Sequence, residues 1–141
     1  MNKEVFKNRT KPFALRVIEL VESLPNGIIA AVLGKQLLRS GTSVGANYRS
    51  ACRAKSTADF FYKMGIVEEE ADEAIYWIEL LIEAGLVKMD DLKELLNEAN
   101  QILALTVASI KTVKGKMKNQ KSSLESELSI SEIRNPKSEI S

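Results

Sequence analysis

The chain has 141 residues, 45% of them hydrophobic and 28% charged, which supplies the apolar material for one packed core and sets the expectation of a single domain. It carries 20 Lys+Arg against 19 Asp+Glu, no histidine and one cysteine, so imidazole or thiolate metal clusters, Ser-His-Asp and Cys-His machinery and disulfide frameworks are excluded by inventory. No apolar run approaches the roughly 20 residues of a membrane span, the first residues lack a long apolar stretch, and a cytoplasmic protein is expected.

Seven Gly and three Pro are few for this length, and the composition leans towards helix. Phe13, Ala14, Val17, Ile18 and Val21 recur at helical spacing, and Leu24-Pro25-Asn26-Gly27 forces a turn, so the first helix is predicted at about 12–24, with room for an earlier start. From Ile28 the positions Leu33, Leu37, Ser40, Val44, Asn47 and Ala51 form a seam that predicts a second helix to about Ala54. Ser56-Thr57-Ala58-Asp59 has capping-box form. A third helix then places Phe60, Met64, Val67, Ala71, Ala74, Ile78 and Leu81 on a four-three repeat, with Gly85 as its C-terminal cap. Asp90 and Asp91 open a fourth, seamed by Leu92, Leu96, Ala99, Leu103, Thr106, Ile110, Val113 and Met117. Short turns between long helices predict an all-α, antiparallel up-down four-helix bundle over 1–118. Residues 119–141, rich in serine and charge, read as a mobile polar tail, although Leu124, Leu128 and Ile130 leave room for a helical extension.

The near-zero net charge conceals an uneven distribution. Residues 1–64 carry a net +7, 65–100 a net −9, 101–118 a net +4 and 119–141 a net −1. Bulk charge does not favour nucleic acid, but a local basic surface, or docking of the basic parts onto the acidic part of another copy, fits this pattern.

At about 100° per residue, Lys35, Arg39, Arg49 and Arg53 share one stripe of the second helix opposite its apolar seam. Three readings suit such a stripe: a solvated face, ion pairing with a neighbouring subunit, or contact with nucleic-acid phosphates. Lys111, Lys114 and Lys118 share a face of the fourth helix, where cations also suit a helix C-terminus. On the third helix, Tyr62, Ile66, Trp77 and Leu80 lie behind the core seam with Glu69 and Glu73 beside them. A lone bundle would leave this face wet, which predicts an oligomer interface in which carboxylates flank aromatic anchors. The alternative is that the tail or a bend in the helix covers them.

Other motifs carry less. Gly34, Gly41 and Gly45 inside the second helix predict close backbone approach. The run Ser40-Gly41-Thr42-Ser43-Val44-Gly45 lacks the ending and the preceding strand of a phosphate loop. Asn47 on the core side requires a partner such as Ser40 or a carboxylate of the third helix. The acidic run Glu68-Glu69-Glu70-Ala71-Asp72-Glu73 lacks the histidines of a di-iron bundle, and Cys52 reads as a small packing residue. No catalytic residue, metal or cofactor is expected, and the chain is read as a non-enzyme.

Gln36-Leu37-Leu38-Arg39-Ser40, Ala46-Asn47, Ala54-Lys55-Ser56, Asp59-Phe60 and Tyr76-Trp77 occur in an order and spacing that resemble the bacterial four-helix bundle family encoded in intervening sequences of 23S ribosomal RNA genes. The resemblance covers about 6–115. It implies a ring-shaped homo-oligomer, typically a pentamer. One related branch resembles the accessory protein of diversity-generating retroelements, which binds nucleic acid and a reverse transcriptase through a basic ring. Lys35, Arg39, Arg49 and Arg53 are the natural surface for that role here. The expectation is thus a homo-oligomer that binds RNA, or DNA, in company with ribosomal or ribonucleoprotein machinery. The competing expectation is a protein-protein scaffold, such as a reverse-transcriptase accessory subunit, whose basic stripe pairs with Glu69 and Glu73 of a neighbour.

Overall fold

Helix-forming composition and four apolar seams give four helices: α1 Lys3–Glu22, α2 Ile28–Cys52, α3 Thr57–Glu83 and α4 Met89–Arg134. The computed structural model describes residues 3–134, with side-chain surroundings through Ser129, and no strand occurs among the described residues. The chain divides into two compact units, Met1–Ala108 and Ser109–Ser141. Within the first, neighbours run antiparallel. Gly34 approaches Val21 and Leu24, Gly41 approaches Val17 and Gly45 approaches Thr10, so α2 descends as α1 rises. Arg9 reaches Glu98 while Arg16 reaches Glu94, which sets α4 antiparallel to α1.

α1 begins nine residues before the sequence-based start at 12 and keeps Pro12 in its interior. Pro12 withdraws the N–H that the Asn8 carbonyl would accept, but Asn8 and Pro12 are both exposed, so that carbonyl lies on a solvated face. The core seam Phe6, Thr10, Phe13, Val17 and Leu20 passes the proline undisturbed on the opposite side.

Both ends of α3 have local causes. Ser56 Oγ accepts from the Asp59 N–H at 3.0 Å, and Asp59 Oδ2 accepts from the Lys55 N–H at 3.2 Å, which closes the expected capping box one residue further back than usual. At the other end Gly85 takes φ 77°. Its N–H reaches the Ile82 carbonyl and that of Leu86 the Leu81 carbonyl, the two bonds of a Schellman motif.

The seams correct three details. In α2 the buried positions include Ala30, Gly34, Gly41 and Tyr48, while Leu33 and Asn47 are half-buried. The glycines admit α1 so closely that the core face turns towards it. Asn47 donates to the Ser43 carbonyl of its own helix at 2.8 Å and needs no partner across the core. In α4 the buried positions are Leu92, Leu95, Ala99, Ile102 and Thr106, so Leu95 and Ile102 replace Leu96 and Leu103. The buried hydroxyls behave alike: Thr10, Ser40 and Thr106 bond carbonyls of the preceding turn in their own helices, those of Lys7, Gln36 and Ile102.

α4 continues through Arg134, so residues 119–134, expected as a polar tail, are helical, and 135–141 lie outside the described residues. The first compact unit ends at Ala108, within α4.

Candidate nucleic-acid interface

Local sequence decides which cations meet. Phe6 stacks on Tyr48 with ring centroids 4.1 Å apart, and Thr10 packs on Gly45, so this half of α1 is held against the C-terminal half of α2. Burial pushes the Tyr48 phenol well above its ordinary range, and the adjoining Cys52 adds to the shift. Lys7 and Lys11, one turn apart, lie beside this seam, and across it lies Arg49. Together with Glu4, Asn8, Thr10, Ala14, Thr42, Gly45 and Ala46 they line a groove of about 500 Å³. None of the ion pairs among the described residues engages Lys7, Lys11 or Arg49. The groove is short of bulky side chains on its α2 wall, where Thr42, Gly45 and Ala46 leave the cations accessible. A larger concavity of about 630 Å³ mixes Arg16 and Lys88 with Glu19 and Asp91, which gives it no preferred charge.

The sequence stripe is therefore divided. Lys35, Arg49 and Arg53 are exposed, but Arg39 turns across to α3. Its Nη1 lies 3.3 Å and 3.2 Å from the two Glu70 oxygens, and its Nη2 donates to Glu73. Arg39 is thus a partly neutralised α2–α3 clamp. Helical angle alone placed it with Lys35, but a guanidinium at the edge of the stripe is long enough to reach the next helix. Glu73 also accepts from the Trp77 Nε1–H at 3.2 Å. Its carboxyl is held below the ordinary glutamate range, first by Arg39, with Trp77 adding to the effect.

Of the residues expected at an oligomer interface, Tyr62 and Glu69 are exposed, while Ile66, Glu73, Trp77 and Leu80 are half-buried. Tyr76, which helical spacing alone did not place there, is 56% exposed and Tyr62 70%. The outward aromatic pair is therefore Tyr62 and Tyr76, with Glu69 midway between them. Lys111, Lys114 and Lys118 lie in the second unit, exposed on one face, and in mid-helix rather than at a C-terminus. Lys7 and Lys11 were missed because the predicted helix began after them. The signal was present in Phe6 and Thr10, which extend the four-three seam back from Phe13.

Glu73 gives a pH-dependent expectation. Because its folded-state carboxyl titrates below the unfolded one, the paired form stabilises above about pH 4.3 and that contribution is lost as pH falls through the folded value. Glu73→Gln should flatten the acid limb of a stability-pH profile and leave neutral pH less affected. The emission of Trp77, the single tryptophan, should titrate with this carboxyl in the parent and not in the variant.

These features define an all-α helical-bundle protein. Residues 3–108 match the family model described as 23S rRNA-intervening sequence protein, and the chain belongs to that family. It is 40% identical to a solved protein of unknown function from the S23 ribosomal protein family of Bacteroides thetaiotaomicron. That similarity covers 79% of this chain and 99% of the other, with a TM-score of 0.73. No curated protein matches. The family match stops where the first compact unit stops, so residues 109–141 lie outside both.

Proposed function

We propose that this chain is a non-enzymatic, homo-oligomeric RNA-binding protein that takes the backbone of a structured RNA, ribosomal RNA foremost, along the α1–α2 groove. The observation that carries the reading is the meeting of Lys7, Lys11 and Arg49, none of them in an ion pair, against the single carboxylate of Glu4 in the groove lining, in a chain whose other well-placed arginines, Arg9 and Arg39, are paired with Glu98, Glu70 and Glu73. Unpaired cations beside an open groove suit phosphates, which gain from counterion release. Arg53 and Lys35 extend the path along α2. Self-association is supported by the outward face of α3. Tyr62, Glu69 and Tyr76 are spaced seven apart, and a Cβ added at Gly65 would meet nothing within 4 Å, which leaves room for another helix. A ring, pentameric as the family resemblance implies, would use this face repeatedly.

A scaffold role, for example as a reverse-transcriptase accessory subunit, is favoured by one feature: the same acidic-aromatic face also suits a basic protein partner. Binding titrations with structured RNA at several salt concentrations separate the two. Three groove cations predict a log-log slope of about −2 to −3. Lys11→Glu with Arg49→Glu should flatten that slope by about 2 and weaken binding at every salt, with the sedimentation mass unchanged. Absence of salt-dependent binding by the parent would overturn the RNA reading, and a fall in mass in the variant would favour the scaffold. A parent that sediments as a single chain would overturn the homo-oligomer.

A further inference from the structure

Residues 109–129 of α4 carry an apolar stripe that nothing in the groove reading uses. At about 100° per residue, Ile110, Val113, Met117, Leu124 and Leu128 fall within about 40° of Met117, and Gly115, Asn119, Ser122 and Ser126 occupy the opposite side. Met117 is 43%, Leu124 59% and Leu128 64% exposed, while Ile110 and Val113 are half-buried, so the stripe is uncovered from Met117 onward. We propose that this stripe pairs antiparallel with the same segment of a second copy.

Spacing and charge both select that occupant and that direction. Val113, Met117, Leu124 and Leu128 are separated by four, seven and four residues, a sequence that reads the same in both directions. A two-fold axis between Gln120 and Lys121 therefore sets Val113 against Leu128 of the other copy and Met117 against its Leu124. The charges flank the stripe unequally. One flank carries Lys114, Lys118 and Glu125, and the other Lys116 and Glu127. In an antiparallel pair like flanks meet, which brings Glu125 between Lys114 and Lys118 of the other copy and Glu127 beside its Lys116. In a parallel pair unlike flanks meet, and Lys114 faces Lys116 while Glu125 faces Glu127. Lys121 meets its own copy near the axis, a like-charge contact that holds register at some cost in affinity.

This inference is independent of the RNA reading, because it concerns residues outside the groove. Two measurements on the full chain test it. Met117→Glu with Leu124→Glu should halve the sedimentation mass and leave RNA binding through the groove unchanged. In a Cys52→Ser background, chains bearing Met117→Cys and chains bearing Leu124→Cys should form a mixed disulfide dimer when oxidised together, and neither should do so alone. Crosslinking of the Met117→Cys chain with itself would overturn the antiparallel direction. An unchanged mass together with no mixed crosslink would overturn the pairing, including the case where another protein or a membrane covers the stripe.

Discussion

Phe6→Ala should destabilise the bundle by about 3–5 kcal/mol, as expected for truncation of a fully enclosed aromatic side chain. Phe6 is 1% exposed and stacked on Tyr48 at an interplanar angle of 20°, so the variant loses both transfer free energy and a ring contact, and leaves a cavity beneath Lys7 and Arg49. Against a domain stability of about 5–15 kcal/mol this is a large fraction. Urea unfolding at fixed protein concentration, followed by circular dichroism, reads it as a lower midpoint at unchanged slope. The groove should loosen at the same time, because the Phe6–Tyr48 stack holds Lys7 opposite Arg49. A shift of less than about 1 kcal/mol would show that this end of α1 is not packed as described.

Gly41→Ala should also destabilise, although alanine is the better helix former by about 1 kcal/mol. A Cβ at Gly41 meets both Val17 methyl groups at 2.9 Å and the Val17 Cβ at 3.3 Å. Val17 is 0% exposed and β-branched, with no free rotamer to retreat into. Overpacking of this kind costs about 1–3 kcal/mol, which outweighs the gain in propensity. Gly34→Ala is the internal control. Its nearest neighbour at 2.9 Å is the tip of Leu24, which can swing aside, so the substitution should cost less. Combining Gly41→Ala with Val17→Ala should recover part of the loss, giving a coupling of about 1 kcal/mol or more in a double-mutant cycle. Additive effects would mean that the two helices do not touch at this level.

The fold was legible where periodicity and punctuation agreed. The α3 seam, its capping box and the glycine stop each have a local cause, and all were readable from spacing and residue type. The start of α1 was not, because a proline in a helix interior ordinarily marks a boundary and only its solvated side made it tolerable here. The register of α2 was obscured by the same glycines whose close approach was anticipated. A residue without a side chain adds nothing to an apolar count, yet Gly34 and Gly41 are buried where α1 comes close. At the site, helical angle placed Lys35, Arg49 and Arg53 on the exposed side but could not show that Arg39 would cross to Glu70 and Glu73. Nor could it show that Lys7 and Lys11 would sit opposite Arg49. Those meetings depend on which helices are neighbours, which a single-helix projection does not contain.

The three enclosed hydroxyls have a bearing on how the bundle holds its alignment. Thr10, Ser40 and Thr106 each spend their hydrogen on their own backbone, so none ties one helix to another. At these levels sliding of α1 along α2 is therefore opposed by steric notches rather than by bonds from the hydroxyls. Evolutionary drift of Ser40 to alanine and of Thr10 and Thr106 to alanine or valine should be tolerated, whereas the notch formed by Val17 and Gly41 has little freedom to wander.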